Sequence, residues 1–487
     1  MDIFLQKKVC IVGTGFCGYA GFEKLSYLGN DLLLVEGGDL KDPVKSEDQS
    51  FYNFSHNKYS GKIKVKGDIS YVKSDIDLSF RDRQFTLGGS SGKWAGFIKP
   101  LEASTYLNEY GVDGSKSWGG LDLQKFDIES LKLLNSPILD FNPIKVAKSL
   151  NIKLPELPKG LYYTVYSWAK KTLRLKDFWI DKATNDPNKL SSQKQVLYGF
   201  KLVDAIIKDE KISQLEFRSG NKKLYVKADA FILGMGGIEN ARFAEILNKK
   251  SAGIEYRNSN IGNFQEHPHI YGIGSFNYGK NKIPEILKNK IPYYKDGNLV
   301  GKVKFNIIAW DGIGTPKVSF DLQSRDYKKG FLETFIDYFK AKIRGDVFIS
   351  MRCEQTPNKK SMLDFNKNEV NWNVLGSDFK FYSDYLRRFV SFLNYSEMGK
   401  DFKLVQRDSK SGFAFPESTN GGAHHMGTVP YFKNGSSIDV NFKHKNFSNL
   451  YIVGCSVFPT SGFENPTHGA ISSTLAAIQD LIYQQEI

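Results

Sequence analysis

The hydrophobic pattern near the start of the chain predicts a strand, a helix and a second strand. Residues 9–12 form an apolar run, a helical stretch continues to about Leu28, and a second apolar run, LLLVE, ends in Glu36. Uninterrupted apolar runs of this length are typical of strands that are buried on both faces of a parallel sheet. The order therefore indicates the beginning of an α/β unit.

Two later segments extend this pattern. Residues 201–233 alternate and turn like a β-meander, which leads into a buried strand at 230–234. Near the C-terminus, apolar side chains recur at helical spacing and predict the core face of a helix: Ile471, Leu475, Ile478 and Leu481. The sequence contains no internal repeat and no low-complexity linker.

Glycines at GxGxxG spacing separate the first strand from the helix. We expect Gly13 to permit a tight turn, Gly15 to let a pyrophosphate approach the backbone, and Gly18 to let the helix pack closely on the strand. The helix N-terminus would then offer its N–H groups to the phosphates. Glu36, at the end of the second strand, is placed to bind a ribose diol, and its charge disfavours NADP. The pattern predicts a dinucleotide site and leaves NAD and FAD open.

Length and composition indicate a globular protein of the cytoplasm. A chain of 487 residues is long enough for about two or three domains. Its hydrophobic content of 41% is that of a soluble protein, and no apolar run is long enough to predict a transmembrane segment. We read no signal peptide at the N-terminus. The four cysteines show no CxxC spacing, which argues against a disulfide framework and a structural zinc site and fits a reducing cytoplasm.

The charge pattern changes this picture little. The chain has 67 basic and 53 acidic residues, and its lysines are dispersed. Nucleic-acid-binding proteins concentrate such charge in runs or on one face, so we predict a basic solvated surface and no nucleic-acid partner. The second interpretation is an anionic partner, such as a phosphorylated or nucleotide-linked substrate or a membrane face.

Six further motifs follow in a fixed order and identify a family resemblance. They are FTLGGSSGKWAG at 85–96, ADAFILGMGGIENAR at 228–242, NIGNFQEHPH at 260–269, EQTPNKKSMLDF at 354–365, HHMGT at 424–428 and NLYIVGCSVFPTSGFENPTHGAISSTLAAI at 449–478. With the GxGxxG stretch, these motifs resemble the glucose–methanol–choline (GMC) family of FAD-dependent oxidoreductases. The resemblance is closest to the branch that contains pyranose oxidase and related glycoside-oxidising enzymes.

The resemblance implies an α/β (α+β overall) fold with two domains. A Rossmann-like FAD-binding domain with a parallel sheet would be discontinuous, formed by residues 1–100, 196–270 and 420–487. A substrate-binding domain, built on a mostly antiparallel sheet covered by helices, would be formed by residues 271–419. Residues 101–195 would add a covering segment.

The resemblance also implies a catalytic pair. The HxxGT motif of the family matches His424, with His425 as a neighbour without a role, and the NP motif matches Asn465. A neutral imidazole suits the removal of a hydroxyl proton, and the carboxamide can hold the substrate oxygen and stabilise a developing alkoxide. His468 lies three residues after Asn465 and is the competing candidate, because i and i+3 side chains share a helix face.

Cofactor contacts are implied along the same motifs. Beyond Gly13, Gly15, Gly18, Glu36 and Asn465, they are Phe16, Gly88, Gly89, Ser90, Trp94, Val203, Gly236, Cys455, Pro466 and Thr467. In pyranose-oxidising relatives a histidine before the tryptophan can carry a covalent bond to the flavin. Lys93 stands at that position here, so we predict non-covalent FAD.

Other matching positions are predicted to be structural. His267 matches a family position in a loop, and the following Pro268 marks a turn, so we expect His267 to brace the fold rather than react. EQTPNKKS, which contains Glu354, is expected to form a strand and turn beneath the substrate sheet. Val429, Pro430 and Tyr431 replace the usual residues after HHMGT and alter the expected pocket wall.

The implied function is FAD-dependent oxidation of an alcohol group in a sugar, glycoside or other polyol to the carbonyl. His424 would act as general base while a hydride passes to flavin N5, and oxygen or another carrier would accept the electrons. A GMC-fold lyase that uses FAD only structurally is the alternative, and a non-catalytic FAD-binding protein is a third. No pattern in the sequence predicts an oligomeric state.

Overall fold

We analysed a computed structural model of the chain. It describes residues 2–40, 69–71, 84–102, 105, 123–252, 260–277, 284–288, 290–323, 346–365, 369–396, 403–404, 419–431 and 436–485. Parts of the predicted covering segment and substrate domain, among them residues 106–122, 324–345 and 405–418, lie outside the described residues.

The described residues form strands and helices throughout the chain. The strands are β1 (Asp2–Val12), β2 (Leu32–Glu36), β3 (Ile69–Tyr71), β4 (Phe97–Ile98), β5 (Leu161–Trp168), β6 (Ala183–Thr184), β7 (Val196–Tyr198), β8 (Lys201–Lys208), β9 (Lys211–Ser219), β10 (Lys222–Leu233), β11 (Asn260–Gly262), β12 (Pro268–Asn277), β13 (Ile291–Lys295), β14 (Asn298–Ala309), β15 (Val318–Gln323), β16 (Asp346–Cys353), β17 (Met362–Asp364), β18 (Glu369–Asn371), β19 (Asn373–Leu375), β20 (Lys403–Leu404), β21 (Thr419–Gly421) and β22 (Leu450–Ile452). The α-helices are α1 (Phe16–Leu25), α2 (Asp127–Leu133), α3 (Pro143–Ser149), α4 (Leu175–Trp179), α5 (Gly236–Ser251), α6 (Gly376–Tyr395) and α7 (Thr467–Gln485).

The first sheet is mainly parallel where it carries the N-terminal unit. Its order is β6-β7-β2-β1-β10-β9-β8, and β22 also pairs with β10. β1 runs parallel to β2 and β10, and β10 runs parallel to β22. The predicted meander is confirmed, because β8, β9 and β10 pair in antiparallel order before β10 continues beside β1.

β1 is longer than the apolar run predicts. Residues 9–12 are fully buried, whereas residues 2–8 alternate between exposed and half-buried positions. This polar half still pairs with β10, from Lys223 onwards. The predicted helix is shorter than expected, since α1 ends at Leu25 and a 3₁₀ turn follows. Long-range pairing therefore sets the start of β1, which the local apolar pattern does not reveal.

The second sheet is antiparallel, as the fold prediction requires. Its order is β20-β12-β16-β15-β14-β5-β4, with β13 paired to β14 and β21 paired to β12. Helix α6 packs on this sheet, and the rings of Phe320 on β15 and Phe389 on α6 stack with centroids 4.1 Å apart. The predicted fold class, a parallel-sheet domain joined to an antiparallel sheet with helical cover, is confirmed.

The C-terminal helix packs beside the first βαβ unit. The four apolar residues at helical spacing in α7 are all buried, which confirms their predicted core face. Helix α7 packs against α1, where the Ile478 side chain lies 3.8 Å from the position of a Cβ on Gly21. The end of the chain therefore supports the first βαβ unit.

Both sheets contain strands from the segment between residues 101 and 195. β5 belongs to the antiparallel sheet, and β6 belongs to the first sheet beside β7. β4 also joins the antiparallel sheet, although it lies within residues 1–100. The chain thus crosses between the two sheets several times, and the domain boundaries given above stay a prediction.

The structure also shows the state of the cysteines and the character of the helices. All four cysteines are free. None of the helices formed by the described residues combines the length and the apolar character needed to cross a bilayer.

Candidate active site

A cavity of about 450 Å³ lies at the carboxyl ends of β1, β2, β10 and β22. In open α/β sheets this edge is where ligands bind, because strand ends and helix N-termini converge there. Most of the residues predicted for cofactor and substrate line this cavity. They are Gly13, Gly15, Phe16, Glu36, Gly89, Ser90, Trp94, Gly236, His424, Cys455, Asn465, Pro466 and Thr467.

Three of the predicted residues do not line the cavity. A Cβ on Gly18 would lie 2.1 Å from the Gly13 carbonyl oxygen, so Gly18 serves the close contact between α1 and β1. Gly88 adopts a φ of +89° and donates its N–H to Thr14 Oγ1 at 2.8 Å, which fixes the neighbouring turn. On β8 the cavity is lined by Leu202 instead of Val203, because adjacent strand side chains point to opposite faces.

Three glycines leave open space at the cavity wall. A Cβ on Gly15 or on Gly236 would meet no atom within 4 Å, so it would project into the cavity. Gly89 faces Gly15 from a second turn, with its Cβ position 3.7 Å from Gly15 Cα. Bare backbone on both sides of a cavity at a helix N-terminus suits a bound pyrophosphate. These residues fit the phosphates of FAD.

Glu36 braces the same turn. Its Oε2 accepts hydrogen bonds from the backbone N–H of Thr14 at 2.9 Å and from Thr14 Oγ1 at 2.7 Å, and its Oε1 accepts one from the N–H of Gly38 at 2.8 Å. Burial raises the pKa of the Glu36 carboxyl group, while these hydrogen bonds oppose the rise. The carboxyl group both lines the cavity and ties β1 to β2, and its contact with a ribose stays a prediction.

His424 reaches the cavity from a loop that follows β21. Its backbone N–H donates to Glu266 Oε1 at 2.7 Å, and an antiparallel bridge between Gln265 and Met426 fixes the loop beside β12. Burial lowers the pKa of His424 well below its usual value, and neighbouring histidines add to the effect. The imidazole is therefore neutral at neutral pH and can accept a proton.

His425 also lines the cavity, although the sequence motif gives it no role. Its Nε2 lies 3.9 Å from Glu266 Oε2, and its ring lies 5.6 Å from the ring of Phe264. A Cβ on Gly237 would lie 2.3 Å from the His425 carbonyl oxygen, so this backbone packs tightly on the start of α5. His425 thus holds the loop in place beside the cofactor turn.

Asn465 approaches the cavity from the turn before α7. Its Nδ2 donates to the Phe97 carbonyl oxygen at 3.4 Å, while its Oδ1 is buried without a hydrogen-bond partner among the described residues. The indole Nε1 of Trp94, on the same cavity, is buried in the same way. Since buried polar atoms are almost always hydrogen-bonded, both groups fit a site that is completed by a bound molecule.

His468 does not line the cavity, unlike Asn465 three residues earlier. Its side chain is buried, and its Nε2 lies 3.6 Å from Asp127 Oδ1. Burial lowers the pKa of His468 to about 4. The geometry therefore favours Asn465 over His468 as the partner of His424.

His267 is the residue whose position the sequence did not predict. Its Nδ1 lies 2.9 Å from the Nδ1 of His424, and its Nε2 lies 3.0 Å from the carbonyl oxygen of Ser461. His269 completes a group of three histidines whose ring nitrogens lie within 4.8 Å of one another. The sequence signal for this group is the HPH spacing, which places His267 directly before β12 and His269 on it.

A buried ion triad lies close to these histidines. Asp321 on β15 accepts hydrogen bonds from Lys304 and, at 2.9 Å, from Arg352. The Arg352 guanidinium lies 4.9 Å from the ring centroid of Phe97, which lines the cavity. After burial, the positive charge of Arg352 is the next contribution that lowers the pKa of His269. Positive charge on the second sheet therefore helps to keep the histidines neutral.

Comparison with known families identifies the segment that holds the candidate pair. Residues 367–473 match the family model for GMC oxidoreductase. This segment is similar to GMC oxidoreductases. The resemblance predicted from the motifs is confirmed for these residues, and His424 and Asn465 both lie in the matched GMC segment. No curated protein matches this sequence.

Solved structures similar to this chain have the same fold at low sequence identity. Pyridoxine 4-oxidase from Mesorbium loti is 14% identical, with a TM-score of 0.52 over 98% of this chain and 99% of that protein. A formate oxidase is 14% identical, with a TM-score of 0.54 over 99% of both chains. A formate oxidase variant from Aspergillus oryzae RIB40, whose structure concerns FAD modification, has the same identity and coverage with a TM-score of 0.52.

The family match bears on the cofactor and the class of enzyme, and the glycine backbone at the cavity suits the same cofactor. GMC oxidoreductases bind FAD, so the prediction of FAD is confirmed at the level of the family, and so is the prediction of an oxidoreductase. Lys93 lines the cavity, and the prediction that FAD is held without a covalent bond stays a prediction. The resemblance to the pyranose oxidase branch likewise stays a prediction.

Proposed function

We propose that this protein oxidises an alcohol group of a small molecule to the carbonyl, with a sugar, glycoside or other polyol as substrate. The observation that carries the proposal is that His424 and Asn465 line one cavity together with a glycine cradle that suits FAD. The two side chains come from different elements, a loop after β21 and the turn before α7. Because both side chains line the same cavity, one bound alcohol could contact a proton acceptor and a group that holds its oxygen at the same time.

His424 is proposed to act as the general base. Its imidazole is neutral because it is buried, so it can accept the hydroxyl proton of the substrate without first losing one. Asn465 would bind the substrate oxygen, and its Nδ2 group can stabilise the negative charge that develops there. FAD bound at the glycine cradle would supply the acceptor for the hydride of the carbinol carbon, while His424 holds the hydroxyl proton, so that the alcohol becomes the carbonyl.

The acceptor that reoxidises the cofactor is proposed to be oxygen or another electron carrier. Pyridoxine 4-oxidase and formate oxidase, which share the fold, are oxidases by name. Their names also broaden the set of compounds to try, since pyridoxine and formate differ from a sugar in size and charge. We place sugars and glycosides first because the motif pattern most resembles that branch of the family.

The test is anaerobic mixing of the purified FAD-bound protein with sugars, glycosides, other polyols, pyridoxine and formate. We expect one class of polyol to bleach the flavin absorbance. His424→Ala should retain FAD and slow bleaching by about 10²–10⁴-fold, the usual cost of losing a general base. His444→Ala is the matched control, because His444 is a buried histidine that does not line the cavity.

Three results would contradict the proposal. One is a flavin that no polyol bleaches while His424 is intact. Another is substrate turnover without bleaching, which would support the lyase alternative. The third is an equal loss of rate in the His424 and His444 variants. Mixing the reduced protein with oxygen and with a dye acceptor then separates an oxidase from a dehydrogenase.

A further inference from the structure

His267 connects the candidate base to a backbone carbonyl group. Its ring lies between His424 and Ser461, with one nitrogen directed to each. The His267 ring is fully buried, and it meets the His424 ring edge-on with centroids 4.9 Å apart. Each of the two nitrogens therefore has a defined partner, which restricts where the protons of both rings can be.

The proton positions follow from what each partner can do. A carbonyl oxygen only accepts hydrogen bonds, so the contact with Ser461 requires a proton on His267 Nε2. A neutral imidazole carries one proton, so His267 Nδ1 must then be an acceptor. The Nδ1 of His424, 2.9 Å away, must supply the proton between the two rings. Neutral His424 therefore keeps its lone pair on Nε2.

His267 is neutral under ordinary conditions. Burial lowers the pKa of His267 to about 4, and the positive charge of Arg352 lowers it further. Hydrogen bonds with the backbone of Ser461 and Gly462 partly oppose this shift. No proton is then available for His267 Nδ1 near neutral pH. A His424 with its proton on Nε2 would place two lone pairs face to face at the Nδ1 contact.

The same pair is held by a shared carboxylate. Glu266 Oε1 accepts the backbone N–H of His267 at 3.0 Å and the backbone N–H of His424 at 2.7 Å. A Cβ on Gly422 would lie 3.2 Å from His267 Cβ, so the chain before His424 also approaches His267 closely. These contacts join two segments 157 residues apart and fix the distance between the rings.

We propose that His267 is a positioning residue that fixes the tautomer of His424, so that Nε2 of His424 is the atom that accepts the substrate proton. The proposal rests on the function proposed above, because it names the proton-accepting atom of that reaction. His267 acts through His424 and does not itself touch the substrate. The Ser461 carbonyl group determines which nitrogen of His267 carries the proton.

Two substitutions separate the hydrogen bond from the space that His267 fills. Asn can place its Oδ1 near the position of Nδ1, so His267→Asn retains an acceptor for the His424 proton. His267→Phe fills the ring volume and removes the acceptor. His444→Phe is the matched control, since it replaces a buried histidine that does not line the cavity.

The main measurement is the nitrogen-15 NMR spectrum of the FAD-bound protein labelled at histidine, with the His424 signals assigned by their loss in His424→Gln. We expect protonated Nδ1 and unprotonated Nε2 at His424 in the wild type, in His267→Asn and in His444→Phe. His267→Phe should lose this pattern. Flavin reduction should be slower by on the order of 10²-fold in His267→Phe, a wrong-tautomer effect, and nearly unchanged in the other two variants.

The spectrum decides the proposal without any substrate. A proton on His424 Nε2 in the wild type, or an unchanged His424 pattern in His267→Phe, would overturn it. If no alcohol reduces the flavin, the proposed function fails while the tautomer assignment is still tested. If His267→Phe does not fold, the wild-type and His267→Asn spectra still give the answer.

Discussion

Burial of uncharged histidines is the common feature of this protein at the level of single residues. Among the residues that the structure describes, five histidines have a pKa that burial lowers. Only His424 of these five lines the cavity, so the same physical property serves chemistry at one position and packing at others. A perturbed pKa alone would not have separated the candidate base from the structural histidines.

His468 gives a prediction that separates a histidine that packs the fold from one that takes part in the reaction. Its pKa is about 4 in the folded protein and about 6.5 when unfolded, so below pH 6.5 the unfolded chain binds a proton that the native protein does not. The free energy of unfolding should therefore fall as the pH decreases from 6.5 towards 4. His468→Gln should remove this component, about 1.4 kcal/mol per pH unit. Urea unfolding at several pH values measures the difference between variant and wild type.

The rate of flavin reduction in His468→Gln tests whether His468 also takes part in the reaction. Flavin reduction at neutral pH should match the wild type, because His468 does not line the cavity, whereas His424→Gln should slow it strongly. A slow His468→Gln variant with normal FAD content would reverse the order of the two candidates. An unchanged pH dependence of unfolding would contradict the buried, neutral state of His468.

At the level of elements, local signals could be read from the sequence and long-range pairings could not. The glycine turn between β1 and α1 depends on residues within six positions of one another, so its spacing predicts its shape. The resemblance implies a cofactor contact at Val203, whereas the neighbouring Leu202 lines the cavity. A one-residue shift in a strand exchanges its two faces, so a small error in alignment selects the wrong side chain. The contact of His267 with His424 joins residues 157 positions apart, and no periodicity in either segment encodes it.

The glycine turn supports a prediction at the level of this element. A Cβ on Gly15 would enter the cavity without contacting the protein, whereas one on Gly18 would lie 2.1 Å from the Gly13 carbonyl oxygen. Gly15→Ala should therefore fold with a melting temperature close to that of the wild-type apoprotein and lose affinity for FAD by about tenfold or more, since one backbone contact with a phosphate is blocked. FAD titration with fluorescence detection measures this loss.

Gly18→Ala provides the contrast within the same turn. Because its Cβ overlaps backbone, the variant should be destabilised by several kcal/mol or fail to accumulate in soluble form. Equal melting temperatures for Gly18→Ala and the wild type would contradict the close packing of α1 on β1. Undiminished FAD affinity in Gly15→Ala would contradict the placement of phosphate at this turn.

At the level of the whole molecule, a buried polar network joins the antiparallel sheet to the turn that carries Asn465. Glu464 Oε1 accepts hydrogen bonds from the N–H of Glu102 at 2.8 Å and from Thr105 Oγ1 at 2.6 Å. Lys317, next to β15, donates to the same Thr105 hydroxyl at 2.9 Å. Asn465 directly follows Glu464 in the chain, so segments from three parts of the sequence set where its carboxamide lies.

This network predicts that a change outside the cavity alters the reaction. In the wild type both carboxylate oxygens of Glu464 accept hydrogen bonds, and Oε2 accepts one from the Phe463 N–H at 2.9 Å. Glu464→Gln would replace one of these oxygens by an NH₂ group. That group would face either the Phe463 N–H or the Glu102 N–H and the Thr105 hydroxyl. We expect a loss of about 1–3 kcal/mol of stability and slower flavin reduction at unchanged FAD content, because the turn that carries Asn465 shifts. Glu354→Gln is the matched control, since this buried carboxylate accepts the Lys317 N–H at 3.1 Å but does not precede Asn465. It should lose stability without slowing bleaching, and equal rates in the two variants would show that the network supports the fold alone.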